Sequence, residues 1–272
     1  MCPSCRAFIT TDDRVCPYCE AEIGPRAIER RAPAALAGGL IPHGHFTTIL
    51  ILLVNTGLFI ATLLRTSSLT GASFNTDPDG RVLLEFGAKF GFLIQQGEWW
   101  RLITAGFLHG NLMHILMNSW VLFDLGAQVE EAYGTSRYLA IYTLSTVTGF
   151  LASFFWSPAL SIGASAGIFG LIGAMIAMGL RDRSSYGSAV RGTYTRWAVY
   201  GLLMGLLPIF ATDNAAHVGG LVGGFALGFI AGTPGFSRTW ERTWQIAAGV
   251  AMAATAWSFA KMVSGLLASR VF

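Results

Sequence analysis

The chain has 272 residues, of which 53% are hydrophobic and only 12% charged, with a formal net charge of +3. Soluble domains carry roughly 25% charged residues, so this composition cannot cover a water-facing surface and identifies an integral membrane protein. Most of the basic residues fall in short loops, which leaves no nucleic-acid footprint and makes the charge a report on topology.

The chain begins with Cys2-Pro-Ser-Cys5 and Cys16-Pro-Tyr-Cys19, which together contain all 4 cysteines. Two C-x-x-C turns at this separation suit one tetrahedral, structural Zn²⁺, with disulfides or a redox C-x-x-C pair as the alternatives. No apolar signal core precedes them, so this end is expected in a reducing cytoplasm, where disulfides are disfavoured. Residues 1–22 resemble a short zinc ribbon, with Arg6 and Glu20 where such knuckles often carry glycine. Binding a cytoplasmic partner, regulating the rest of the chain and anchoring the terminus are its open roles. Residues 23–45 read as a linker rich in Arg, Pro, Ala and Gly, and Arg26, Arg30 and Arg31 form a basic cytoplasmic flank.

The first span is expected over Phe46–Leu64, close to the roughly 20 residues a bilayer requires. Asn55 within it reads as an interhelical hydrogen-bonding group. Residues 65–98 are too polar to span and are assigned to the outer interface, followed by Trp99, Trp100 and Arg101 at the headgroup level. A second span runs from Asn111 to Leu125, with His114 and Asn118 one turn apart on one face. That pair fits either mutual satisfaction in the core or a functional site. Leu125–Arg137 reads as a polar connection. Further spans are expected over Tyr138–Trp156, Ser161–Leu180, Trp197–Ala211 and Asn214–Gly232, completing a six-helix core at 46–232. The remaining residues, 233–272, supply a loop and a seventh helix over Ile246–Leu267, with Lys261 free to snorkel.

With the first flank inside, Arg137, Arg181, Arg183, Arg191, Arg196, Arg238 and Arg242 all fall in cytoplasmic loops, as the positive-inside rule requires. The second, fourth and sixth spans then run from outside to inside. His114, Ser165 and His217 lie in their first turns and should meet at one depth toward the outer leaflet. Polar groups there are expensive and usually functional. Gly163 and Gly167, with Gly220, Gly224 and Gly228, allow two helices to approach closely.

These residues supply a nucleophile in Ser165 and a base in His217, the histidine placed on a facing helix. His114, the Asn118 amide and the Ser165 backbone N–H are oxyanion donors. Asp213 reads as a cap of the sixth helix and not as the acid of a triad.

The whole set resembles the rhomboid intramembrane serine proteases. The likeness runs from about Trp99 to Gly228 and rests on Trp100-Arg101, His109-x₄-His114-x₃-Asn118, Glu130-x₃-Gly134-x₂-Arg137, Gly163-x-Ser165 and Ala216-His217-x₂-Gly220-x₃-Gly224. It implies an all-α polytopic fold, a Ser165–His217 dyad without an acid, an oxyanion hole helped by His114 and Asn118, and Phe169 packed on the base. His109 and Gly163 are supporting positions. It further implies hydrolysis of a single-span substrate whose helix unwinds near the outer face, after a small residue, in what is expected to be a bacterial cytoplasmic membrane. Catalysis on this pattern uses no cofactor. Ala166 departs from the family's usual glycine, and its methyl is expected to crowd the oxyanion position. A catalytically impaired rhomboid-like protein that binds membrane clients is the alternative, and a metalloprotease lacks its H-E-x-x-H helix.

Overall fold

In lipid every backbone polar group must be satisfied within the protein, and helices do this inside a single segment. In a computed structural model of the protein the described residues are 15–21, 46–71, 73, 76–207, 212–235 and 237–268. They contain helices and isolated bridges only. The chain divides into two compact units, Met1–His43 and Gly44–Phe272.

In the first unit, Cys2 and Cys5 lie outside the described residues. Cys16 is buried and Cys19 exposed. The segment between them closes on itself: Glu20 N–H donates to the Cys16 carbonyl at 2.9 Å and Cys16 N–H to the Ala21 carbonyl at 3.0 Å. Glu20 takes a left-handed φ of 55°, the conformation glycine adopts most readily. Among the described residues no group of three or more His, Cys, Asp or Glu side chains is arranged to hold a metal ion.

The second unit is built from α1 (Phe46–Thr70), the short α2 (Gly80–Glu85), α3 (Gly91–Gln95) and α4 (Arg101–Thr104), then α5 (Leu112–Tyr133), α6 (Thr135–Trp156), α7 (Ser165–Arg181), α8 (Ser185–Met204), α9 (Asn214–Ala231) and α10 (Arg238–Ala268). Among the described residues α1, α6, α9 and α10 are long and apolar enough to cross a membrane, and α7 is a shorter apolar helix. The protein is a multi-pass integral membrane protein.

Several boundaries differ from the sequence reading. The segment read as a polar connection continues α5, because Leu125, Val129 and Tyr133 extend a buried stripe at four-residue spacing. Glu130 within it accepts from the Thr47 and Thr135 hydroxyls at 2.6 and 2.9 Å, both through Oε1. Gly134, at φ 77°, then ends the helix. The fifth span is displaced: α8 begins at Ser185, capped by the Ser184 hydroxyl, and buries Gly187, Val190, Tyr194 and Ala198. Residues 208–211 lie outside the described residues.

The seventh helix is no appendage. Arg137, 2% exposed, donates to both Glu241 oxygens at 2.7 and 2.8 Å, which fastens α10 to α6. Removing Glu241, which is partly exposed, would leave the buried Arg137 guanidinium without its ion pair. Phe259 packs edge-on against Phe107 at 5.2 Å, and Trp244 joins the main core.

The closest helix contact is between α7 and α9. A side chain at Gly220 would meet the Ala166 carbonyl at 2.1 Å, one at Gly224 the Gly170 carbonyl at 1.9 Å, and one at Gly173 the Leu221 carbonyl at 2.2 Å. Small residues here are a steric requirement of backbone contact.

Candidate active site

Ser165 is the first residue of α7, four positions later than the span was expected to start. The preceding segment is not helical. Ser161 exchanges backbone hydrogen bonds with Lys89 at 2.9 and 3.0 Å, and Gly163 N–H donates to the Ala105 carbonyl at 2.9 Å. Gly163 has φ 126°, and a Cβ there would fall 2.7 Å from His114 Nε2. Conformation and space therefore both exclude a side chain. The turn delivers Ser165 into the first helical turn, whose N–H groups have no intrahelical acceptor.

Across the seam His217 lies in the first turn of α9, buried to 5% exposure. Its Nε2 is 2.9 Å from Ser165 Oγ. The Phe169 ring, one turn after the serine, stacks on the imidazole with centroids 4.3 Å apart and planes 11° apart. Ser165, Phe169 and His217 thus form one layered contact. Gly201 of α8 covers Phe169, since a Cβ there would sit 2.7 Å from the ring.

The other imidazole nitrogen faces a residue the sequence reading passed over. His217 Nδ1 is 3.3 Å from Asn214 Oδ1, and Asn214 Nδ2 donates to the Leu202 carbonyl at 3.2 Å. With its amide N–H₂ so engaged, Asn214 presents an acceptor, so Nδ1 carries the proton and Nε2 is left to accept from the serine hydroxyl. The signal was present in the sequence, because an i, i+3 pair shares a helix face. Asp213 caps α9 by accepting from Ala216 N–H at 3.0 Å. Its carboxylate makes no bond to His217.

On α5, Asn111 caps the helix by accepting from His114 N–H at 2.8 Å. The His114 ring rests against Gly163 beside the serine. Asn118, one turn on and 8% exposed, keeps its Nδ2 without a partner. His109 is 1% exposed and meets His114 edge-on at 5.1 Å. Burial, with the neighbouring His114 adding to it, pushes its pKa down to about 3, so it is neutral.

Ala166, next to the serine, is fully buried. It packs with Phe150 and Ala216, and a Cβ at Gly149 of α6 would fall 2.8 Å from it. The missing side chain at Gly149 makes room for the Ala166 methyl on the α6 side.

The arrangement can therefore move a proton from Ser165 to His217 in a site walled by apolar helices, with an unsatisfied amide donor and helix N–H groups nearby. The Rhomboid domain pattern matches residues 96–234. The chain is 38% identical over 154 residues to the rhomboid protease GluP of Bacillus subtilis, covering 57% of this chain and 29% of that protein. It is 32% identical over 145 residues to RHOMBOID-like protein 7 of Arabidopsis thaliana, covering 53% and 46%. With rhomboid-like protease 1 of Toxoplasma gondii it shares 30% identity over 235 residues, 77% of this chain and 75% of that one. The match thus spans less than half the length of the first two relatives.

Proposed function

The chain belongs to the rhomboid family, and from that premise we propose that it is a serine endopeptidase acting within the membrane. It hydrolyses a peptide bond in or near the transmembrane helix of a membrane-protein substrate. The observation that carries this reading is the 2.9 Å contact between Ser165 Oγ and His217 Nε2.

His217 takes the hydroxyl proton as Ser165 Oγ attacks the substrate carbonyl, forming a C–O bond and moving the π electrons onto oxygen. The Asn118 amide, His114 and the Ser165 backbone N–H hold that oxyanion. Collapse breaks the C–N bond, and the proton on His217 goes to the leaving amine. Water, deprotonated by the same histidine, then attacks the acyl carbonyl, and collapse breaks the C–O bond to Ser165 Oγ, which takes its proton back from His217. Asn214 fixes the imidazole tautomer, and Phe169 holds the ring plane. No acid completes a triad, so the imidazolium is stabilised by the Asn214 carbonyl dipole and the stacked ring.

The active-site end faces the outer leaflet, and the N-terminus lies in the cytoplasm, on the strength of the arginine distribution. Cys2, Cys5, Cys16 and Cys19 hold one structural Zn²⁺. The closed turn at Cys16–Glu20, with Glu20 in the conformation usual for glycine in such knuckles, supports this reading. Bound zinc would supply stability to a segment too small for a core of its own.

The test is cleavage of a single-span reporter by purified protein in proteoliposomes. Wild type should cleave it, and Ser165→Ala should not while keeping its helical fold. Binding of the reporter without cleavage by the wild type would instead show a client-binding protein.

A further inference from the structure

Lys89 is the charged residue least expected from the sequence. It sits in the segment assigned to the interface, yet its side chain has 0% exposure. Its ammonium donates to the Ser153, Ser157 and Ala159 carbonyls at 3.2, 2.5 and 3.1 Å. These carbonyls belong to the end of α6 and the turn after it. At the same time the Lys89 backbone pairs in both directions with Ser161. One residue therefore grips both ends of the turn that leads into Gly163 and Ser165.

Asp213 grips the same turn from the other side. One carboxylate oxygen caps α9 at Ala216 N–H, and the other accepts from the buried Ser153 hydroxyl. Ser153 is thus shared: its carbonyl binds Lys89 and its hydroxyl binds Asp213. Burial alone would raise the Asp213 pKa. Bonds from Ser153, Ser161 and Ala216, with the Lys89 charge, outweigh that and keep the carboxyl below its ordinary value, so it is ionised. A buried ammonium and a partly buried carboxylate held by one serine cost desolvation, and a well-packed apolar set of similar volume would often be as stable. The chain has placed them at the junction between the helix start carrying the nucleophile and the helix start carrying the base.

We propose that Asp213 and Lys89 are positioning residues for the Ser165–His217 pair, tying the 153–161 turn that delivers the serine to the end of α9 that delivers the histidine. The inference rests on the proteolytic reading above. Neither residue touches the reacting atoms. Their effect is on the separation and alignment of Oγ and Nε2, where displacement by about 1 Å can cost roughly 10²-fold in rate.

The experiment measures kcat and KM for the reporter in proteoliposomes, together with the rate at which a fluorophosphonate labels Ser165 and the melting temperature of each variant. Asp213→Ala should lower kcat and the labelling rate together, roughly 10- to 10²-fold, with KM unchanged. Lys89→Met should do the same. The double variant should be no slower than the slower single, because both act through one turn. Asp213→Asn keeps the cap and a partner for Ser153, and should restore most of kcat. Ser153→Ala, the mildest change, should give a smaller fall in kcat and serves if Asp213→Ala does not fold. Wild-type kcat in folded Asp213→Ala or Ser153→Ala, losses that multiply in the double variant, or an Asp213→Asn as slow as Asp213→Ala would overturn the proposal. A wild type that is neither labelled nor active would overturn the proteolytic reading itself, and this inference with it.

Discussion

Along α7 and α9 the two backbones touch, so that a side chain at Gly220 or Gly224 would strike a carbonyl at 2.1 or 1.9 Å, whereas α8 buries only Gly187, Val190, Tyr194 and Ala198. Toward its active-site end α8 presents Val199, Tyr200, Leu203 and Met204 outward. Polar ties there join the Leu202 carbonyl to Asn214 and the Gly205 carbonyl to Thr212. Nearer its start, Tyr194 donates to Gln128 of α5 at 2.8 Å. The groups that must meet within hydrogen-bond distance stand on the two helices with no slack. The helix that covers them meets the α7 backbone near its start, where a Cβ at Gly179 would fall 2.6 Å from the Gly187 carbonyl, and meets the site through Gly201 on the Phe169 ring. Its Leu202 carbonyl holds Asn214, the partner of His217 Nδ1, so α8 also bears on the site.

Forcing the tight seam apart should have the largest effect. Gly224→Leu would place a side chain inside the Gly170 backbone, beyond the usual overpacking cost of about 1–3 kcal/mol because backbone cannot repack. It should abolish both folding and cleavage, read by melting temperature and reporter assay. A folded, active Gly224→Leu would mean that the seam is not rigid.

The next effect is chemical. Asn118→Ala removes one oxyanion donor and should lower kcat roughly 10²–10³-fold while leaving KM and melting temperature in place. A loss as complete as that in Ser165→Ala would contradict a shared oxyanion hole. Asn214→Ala releases the imidazole tautomer without touching the serine, and should lower kcat by roughly tenfold. Its pH–rate profile should shift, which a packing defect alone would not produce.

Loosening α8 should do less. Tyr194→Phe deletes the bond to Gln128, worth about 0.5–1.5 kcal/mol, and should lower the melting temperature slightly with kcat retained or raised. A large loss of kcat would show that α8 helps to align the site. The smallest effect is expected at the N-terminus. Elemental analysis should find one zinc per chain, and chelation should leave cleavage by the membrane unit intact. No zinc in intact protein would dispose of the metal site, and loss of cleavage on chelation would make the module a regulator.

What the sequence disclosed follows from what is periodic. Ser165 and His217 fall in the first turns of spans with the same direction, and the glycines at 220, 224 and 228 mark one contact line, so their meeting could be anticipated from the pattern, whereas Phe169 on the base was implied by the family likeness. The family likeness supplied the roles. Boundaries were less legible, because Glu130 looks like loop until Thr47, far away in sequence, is seen to donate to it. Arg191 and Arg196 likewise look like loop residues, yet lie on the exposed side of α8. Lys89 gave no signal, since its burial depends on three carbonyls from a turn more than sixty residues later. Asn214 was visible by its i, i+3 spacing but was absorbed into the reading of a helix cap.

The central claim is that His217 activates Ser165 within this bundle. Incubating purified wild-type protein with a fluorophosphonate and locating the adduct by mass spectrometry tests it most directly. The account predicts a single covalent adduct on Ser165, nearly absent in folded His217→Ala. Labelling of Ser165 at the wild-type rate in His217→Ala, or an adduct at another residue, would contradict it.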